Sequence, residues 1–167
     1  ELYRPALVSE YSKLMRQKLG LETEMEEDQA LVQQLLALLA AEGGDYSTFF
    51  RSLAHTQKSE TSPALRDEFI DRDAFDQWYK MYRQRLLQEE RSDEARHDAM
   101  NRINPKYILR NYLAQQAIDA AVNNDDFSEV EKLLALLQNP FDDHPGMENY
   151  AKPAPDWGKK LEISCSS

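Results

Sequence analysis

The sequence predicts an all-α fold, an irregular multi-helix bundle that is followed by an extended, proline-rich C-terminal tail. Only five of the 167 residues are glycine, and long runs of Leu, Ala, Gln and Glu favour helices over strands. Apolar residues recur at helical spacing through most of the chain up to Leu137. Prolines at positions 140, 145, 153 and 155 then exclude a regular helix. We therefore expect a helical domain over residues 1–138 and a tail over residues 139–167 that packs on it.

End signals and apolar stripes predict the first three helices. The first begins near Pro5 and ends at Gly20, the second follows the acidic run of residues 22–28, and Asp45 caps the third, which ends near His55. Carboxylates before a helix complement its dipole, and we favour that role over a metal site because no calcium-loop pattern accompanies them. The residues predicted to face inward are Leu7, Val8, Tyr11, Leu14, Met15 and Leu19, then Leu31, Val32, Leu35, Leu36, Leu38 and Leu39, then Phe49, Phe50 and Leu53.

The middle of the chain carries an aromatic stripe. Residues 56–61 are polar and predict a loop, after which Ser62 and Pro63 open one or two helices over residues 64–91. The predicted buried face is Phe69, Ile70, Phe75, Trp78, Tyr79, Tyr82, Leu86 and Leu87. We interpret these rings as core and not as a base-stacking platform, since no basic residues are interleaved with them. A charged helix then runs over residues 92–103.

A long helix is predicted to start at Pro105, capped by Asn104, and to run to about Val122. Ser128 and Glu131 match a capping box that would open the next helix, so the two helices are expected to form an antiparallel hairpin. The residues expected inside are Tyr107, Ile108, Tyr112, Leu113, Ile118, Ala121 and Val122 on the first helix, and Val130, Leu133, Leu134, Leu136 and Leu137 on the second. In the tail, the expected anchors are Phe141, Tyr150, Trp157, Leu161 and Ile163.

Charge and composition exclude several classes of protein. A net charge of −10 argues against nucleic acid as a partner, because such a surface needs a basic stripe. No apolar run approaches the length of a membrane span, so we expect no membrane association. The single cysteine, Cys165, excludes an internal disulfide and fits a reducing compartment. The chain opens at Glu1 inside a predicted helix, and we expect it to be a piece of a longer protein.

The residues themselves predict no catalytic, nucleotide-binding or metal site. His55, His97 and His144 have no metal-ligand spacing, and the five scattered glycines form no phosphate loop. The carboxylates at positions 71, 73 and 76 are interpreted as a solvated face. Lys106 and Arg110 are expected to form ion pairs with acidic side chains.

The run of residues 104–115, Asn-Pro-Lys-Tyr-Ile-Leu-Arg-Asn-Tyr-Leu-Ala-Gln, closely resembles the C-terminal region of the selenoprotein O family. The resemblance continues through Asp126-Phe127-Ser128-Glu129-Val130 to Pro155, and the end of the chain, Ser164-Cys165-Ser166-Ser167, resembles the C-terminus of that family. Asp45-Tyr46 and Phe49-Phe50-Arg51 extend it into the first half.

This resemblance implies that the chain is the C-terminal helical part of a kinase-like protein adenylyltransferase. Members of the family are expected to bind ATP with Mg²⁺ or Mn²⁺ and to transfer AMP to Ser, Thr or Tyr hydroxyls of target proteins. The groups that do so are expected N-terminal to this chain. The implied partners are the missing kinase-like part of the same chain and the protein substrates of the whole enzyme. The implied location is the cytoplasm for a bacterial member and the mitochondrion for eukaryotic relatives.

The resemblance assigns one residue here, because Cys165 occupies the position of selenocysteine in many animal members. It implies a regulatory redox bond to a cysteine of the kinase core. Glu162 stands where a neighbouring redox cysteine would be needed, so a redox pair within the tail is excluded. The alternatives are an inert Cys165 and, for the whole chain, a free-standing acidic helical module for protein interaction. A metal-dependent helical enzyme is disfavoured, since paired Glu-x-x-His ligands are missing.

Overall fold

The structure is a computed structural model that describes the backbone of residues 3–161 and the side chains of residues 5–161. Within that range every regular element is a helix, which confirms the all-α prediction. The α-helices are α1 (Tyr3–Lys18), α2 (Asp28–Glu42), α3 (Tyr46–Ala54), α4 (Pro63–Arg66), α5 (Arg72–Leu86), α6 (Asp93–Ile103), α7 (Asn111–Asn124) and α8 (Ser128–Gln138), and Glu148–Ala151 forms a 3₁₀ helix. None of these helices has the length and apolar character needed to cross a membrane.

The chain forms two compact units, residues 1–104 and residues 105–167. The boundary lies after α6, so α7, α8 and the tail belong to the same unit. The division predicted at residue 138 concerns the domain organisation of the whole protein and stays a prediction.

An aromatic core holds the first unit together. The predicted stripes of α2, α3 and α5 are buried, with Leu36 only partly so. Trp78 and Tyr82 stack at 5.2 Å between ring centroids, and Phe75 and Tyr79 stack at 5.3 Å. The Trp78 Nε1–H donates to the Leu31 carbonyl at 3.0 Å, which satisfies the polar end of the buried indole. The interpretation of these rings as core is confirmed.

Three predictions for the first unit are wrong in detail. Of the residues predicted to face inward on the first helix only Met15 and Leu19 are buried, whereas Leu7, Val8, Tyr11 and Leu14 are exposed. Ile70 is 89% exposed and Leu87 is also exposed, because both residues lie outside the helix whose stripe they seemed to continue: Ile70 precedes α5 and Leu87 ends it. The predicted cap Ser62 makes no side-chain cap hydrogen bond, and the helix that follows it is only four residues long.

The second unit contains the predicted hairpin of α7 and α8. The two helices pack on each other and are connected by a three-residue turn. The tail packs on the hairpin inside this unit. Tyr150, Ala154 and Leu161 contact the buried cluster of the hairpin, and the Tyr150 hydroxyl donates to a Glu129 carboxylate oxygen at 2.7 Å. The buried cluster consists of Tyr112, Leu113, Ala117 and Leu133.

The helix predicted from Pro105 instead begins at Asn111. The backbone amides of Lys106 and Tyr107 both donate to the Pro140 carbonyl, at 2.8 and 3.1 Å, and Tyr107 is buried. Residues 105–110 are not helical but form a loop that these two bonds fix to the tail, so contacts with a distant segment and the burial of Tyr107 override the local start signal. Asn104, the predicted cap of that helix, ends α6, and its side-chain amide donates to the Lys18 carbonyl at 3.0 Å.

The capping box predicted at Ser128 is also wrong. Ser128 is the first residue of α8 and Phe127 is the N-cap, without a side-chain cap bond. The Ser128 amide donates to the Asp126 carboxylate at 2.9 Å, so an acid two residues earlier takes the role expected of the serine. The predicted inward residues Ile118, Val122, Val130 and Leu134 are exposed.

Candidate functional site

A buried ionic cluster lies at the centre of the first unit. The Arg85 guanidinium contacts the Asp28 carboxylate at 2.6 Å and the Glu89 carboxylate at 2.8 Å, and all three side chains are buried. Arg85 also donates to the Thr23 carbonyl at 2.8 Å, and the Thr23 hydroxyl donates to Glu89 at 2.8 Å. Every charge in the cluster has an opposite charge within hydrogen-bond distance. The cluster is therefore a structural cross-link between the loop before α2 and the end of α5.

Burial and hydrogen bonding oppose each other at Glu89. Burial alone would raise the pKa of this carboxyl group, but hydrogen bonds from Thr23 and Arg85 outweigh it and hold the pKa below its ordinary value of 4.5. The carboxylate is thus kept ionised, which is the form that Arg85 needs. A general acid would require the opposite shift.

A second buried cation, Arg96, is fully enclosed. Its guanidinium donates to the Tyr82 hydroxyl at 3.2 Å and to the Thr56 carbonyl, and it pairs with Asp93 at 3.3 Å. Burial raises the pKa of the Tyr82 hydroxyl well above its ordinary value of 10, so this phenol stays protonated and donates to the Leu19 carbonyl. The sequence analysis missed Arg85 and Arg96, since a charged residue inside an apolar stripe is assigned to solvent by pattern alone.

Most of the charged side chains that the sequence analysis considered as candidate site residues have structural roles. The Asp71 carboxylate accepts from the Ala74 amide and caps α5, and Asp76 pairs with Arg66 at 2.9 Å. Lys106 pairs with Asp143 at 2.6 Å, which confirms the predicted ion pair. In the acidic run, Glu22 pairs with Arg91 and Glu24 with Arg16, both at 2.9 Å.

The histidines divide into a pair and a single residue. The rings of His55 and His97 lie 4.7 Å apart, although 42 positions separate them in the sequence, and the His97 Nδ1 is 3.2 Å from Asp98. His144 packs edge-on against the Tyr107 ring at 5.3 Å. Among residues 5–161 no group of three or more His, Cys, Asp or Glu side chains could hold a metal ion. Cys165, the predicted redox residue, lies outside the described residues.

Two apolar surfaces are open to solvent in the part of the chain that the structure describes. The first is the row on α1 formed by Leu7, Val8, Tyr11 and Leu14. It borders a cleft of about 330 Å³ between α1, α2 and the acidic loop. The second is a groove of about 430 Å³ along α7 and α8, lined entirely by apolar side chains. Large exposed apolar surfaces mark places where another element docks, so these surfaces are the candidate docking sites of the described residues.

The comparisons with known proteins identify the family to which this helical chain belongs. The family profile described as "Protein adenylyltransferase SelO" matches residues 1–138, so the chain belongs to the SelO family. The resemblance that the sequence analysis drew from residues 104–115 is thereby confirmed.

Bacterial proteins named "Protein nucleotidyltransferase YdiU" are similar along the whole chain. The protein from Pectobacterium carotovorum is 53% identical over 165 residues, which cover 99% of this chain and 34% of the relative. The protein from Pseudomonas paraeruginosa is 48% identical over 167 residues, which cover the whole of this chain and 34% of the relative. The chain thus spans about a third of the length of the curated relatives it matches.

Proposed function

We propose that this chain is the C-terminal helical portion of a protein adenylyltransferase and that it supports a kinase-like core with which it forms one enzyme. The whole enzyme transfers AMP from ATP to Ser, Thr or Tyr hydroxyls of target proteins. The names of the family and of its relatives support nucleotidyl transfer as the activity of the longer protein. The hydroxyl targets, the kinase-like core and the cytoplasmic location in a bacterium are parts of the proposal.

The observation that carries the supporting role is the open row on α1. Leu7, Val8, Tyr11 and Leu14 recur at helical spacing on one side of the helix, yet all four are exposed. An amphipathic helix gains its stability by burying that stripe. We assign the missing cover to the part of the protein that lies outside this chain.

ATP and its metal ion do not fit the described residues. The residues 5–161 hold no cluster of carboxylates for Mg²⁺ or Mn²⁺, and their buried cations Arg85 and Arg96 are saturated by protein partners. We therefore propose that this chain alone is inactive and that nucleotide and metal are bound by the rest of the enzyme. Cys165 enters the proposal as a regulatory thiol that forms a disulfide with a cysteine of the core by exchange with a low-molecular-weight disulfide, which is reduced to two thiols.

The position of the label on ATP tests the activity. The full-length gene product should incorporate label from ATP carrying it on the α-phosphate, and none from ATP carrying it on the γ-phosphate, because AMP and not the terminal phosphoryl group is transferred. Residues 1–167 alone should incorporate neither. Incorporation from γ-labelled ATP would contradict AMP transfer and indicate a kinase.

A charge on the α1 row tests the supporting role. In residues 1–167 alone Val8→Asp should leave the unfolding midpoint unchanged, because position 8 is exposed and the two residues have similar helix propensities. In the full-length protein it should lower that midpoint by several degrees, since the charge would be buried at the interface. Ser9→Asp adds the same charge on the other side of α1 and should be silent in both. Equal behaviour of Val8→Asp in the two proteins would contradict the docking role and favour a free-standing interaction module.

A further inference from the structure

The groove on the α7–α8 hairpin has the shape of a helix-binding site. Along α7 its walls repeat at positions 114, 117, 118, 121 and 122, and along α8 at positions 130, 133, 134 and 137. These are the three- and four-residue spacings of helix ridges, and a groove between two such ridges accepts the ridge of a third helix. Alanines at positions 114, 117 and 121 allow a close approach to α7.

The described part of the tail, residues 139–161, does not cover this groove. Tyr150, Ala154 and Leu161 pack on the buried cluster of the hairpin, and the Asn111 side-chain amide donates to the Leu161 carbonyl at 2.8 Å. Nevertheless Val122 remains 77% exposed, and Leu109, Ile118, Val130 and Leu134 are exposed as well. An exposed apolar surface of this extent indicates a binding site for another helix or protein.

The net charge of the hairpin predicts the charge on the flanks of a helix that binds in the groove. Residues 111–138, which form both helices and their turn, carry five carboxylates against one lysine, a net charge of −4. The carboxylates are Asp119, Asp125, Asp126, Glu129 and Glu131, and the lysine is Lys132. Glu129 is already engaged by Lys132 at 2.7 Å and by Tyr150. Lys and Arg on the flanks of a bound helix would complement the rest.

We propose that the groove holds an amphipathic helix of the same polypeptide, contributed by the part of the protein outside residues 1–167, with an apolar stripe flanked by Lys or Arg. The proposal rests on the proposed function in one respect, that this chain is part of a longer enzyme. The relatives are about three times as long as this chain, since it covers 34% of their length. A tethered helix has a high effective concentration at the groove and excludes partners in solution, which makes it the favoured occupant.

Site-specific photocrosslinking in the purified full-length protein tests the occupant. A benzophenone amino acid replaces Val122 in one protein and Gln116 in the control, since Gln116 is exposed on the side of α7 that faces away from the groove. Position 122 should crosslink within the same chain about tenfold more than position 116. Mass spectrometry should place the crosslink in a segment outside residues 1–167 with an apolar stripe and flanking Lys or Arg.

The other outcomes overturn the proposal. A crosslinked dimer would identify a second copy as the occupant, and a crosslink to a neutral or acidic segment would contradict the charge argument. Equal, weak crosslinking at both positions would show that the groove is open to solvent. The thermal unfolding of both proteins checks that they are folded. AMP transfer measured on the same preparation separates the two claims, because an active enzyme without the crosslink contradicts only the groove proposal, and an inactive folded enzyme with the crosslink contradicts only the proposed activity.

Discussion

The Arg85 guanidinium lies 2.6 Å from the Asp28 carboxylate, and the two side chains are only 2% and 5% exposed. Asp28 opens α2 and Arg85 lies in the last turn of α5, so this ion pair joins two helices that are 57 positions apart in the sequence. Removing one partner of a buried pair is costly because it leaves the other charge without compensation.

Asp28→Asn should therefore destabilise the first unit by about 3 kcal/mol. Urea unfolding followed by the fluorescence of Trp78, in a Trp157→Phe background, measures the effect in this unit. Lys13→Met is the control, because the Lys13–Glu10 pair is exposed and 3.9 Å long, and it should change the free energy of unfolding by less than about 0.5 kcal/mol. An Asp28→Asn effect as small as that of the control would contradict the role of the ionic cluster.

The lowered pKa of Glu89 predicts the pH dependence of stability. A carboxyl group whose pKa is lower in the folded state than in the unfolded state stabilises the fold above about pH 4.5, and this stabilisation is lost as the pH falls through the folded-state pKa. Glu89→Gln should be less stable than the parent chain at pH 7, and the difference should shrink below about pH 4.5. Glu90→Gln, at the exposed neighbouring position, is the control and should be as stable as the parent at pH 7. A difference for Glu89→Gln that is constant from pH 7 to pH 3 would contradict the prediction.

Gly20 is required by space as well as by backbone conformation. Its φ is +74°, and a Cβ atom built there would lie 2.7 Å from the Arg96 Cγ and 2.8 Å from the Met100 Sδ, both of which are fully buried. Gly43 has a similar φ of +63° but no heavy atom within 4 Å of a Cβ. Gly43→Ala should cost about 1 kcal/mol for the left-handed conformation alone, and Gly20→Ala at least about 2 kcal/mol, as overpacking is added. Chemical denaturation measures both, and equal costs would contradict the packing around Arg96.

The hydrogen bond from Tyr150 to Glu129 should hold the tail on α8. Tyr150→Phe removes a donor to a charged acceptor and should cost about 1.5 kcal/mol locally. Hydrogen exchange read by mass spectrometry should become faster over residues 148–158 and stay unchanged over residues 31–54, which serve as the internal reference. Unchanged exchange in the tail would show that apolar contacts of Ala154 and Leu161 suffice to hold it.

The apolar pattern of the sequence correctly predicted those helices whose apolar stripes are buried within the first unit. For α2, α3 and α5 the predicted stripes agree with the packing, and for α3 the predicted cap does too, since the Asp45 carboxylate accepts from the Thr48 amide at 2.9 Å. The family resemblance was likewise available from residues 104–115. Both signals are local in the sequence.

What could not be predicted depends on partners distant in sequence. Asn104 and Pro105 carry a helix start signal, but the Pro140 carbonyl, 34 positions after Lys106, accepts from the amides of Lys106 and Tyr107 and fixes this segment as a loop. Arg96 lies in a helix whose sequence is highly charged, so the pattern alone assigns its side chain to solvent. Its buried partners, Thr56 and Tyr82, lie on other segments of the chain. The residues of the α1 stripe were predicted to face inward, but Leu7, Val8, Tyr11 and Leu14 are exposed.

Nucleotide binding tests the central claim most directly. ATP with Mg²⁺ is titrated by calorimetry into residues 1–167 and, side by side, into the full-length gene product. The account predicts no heat of binding for residues 1–167 and saturable binding by the full-length protein. Micromolar binding by residues 1–167 alone would contradict it, because the nucleotide site would then lie within the helical region described here.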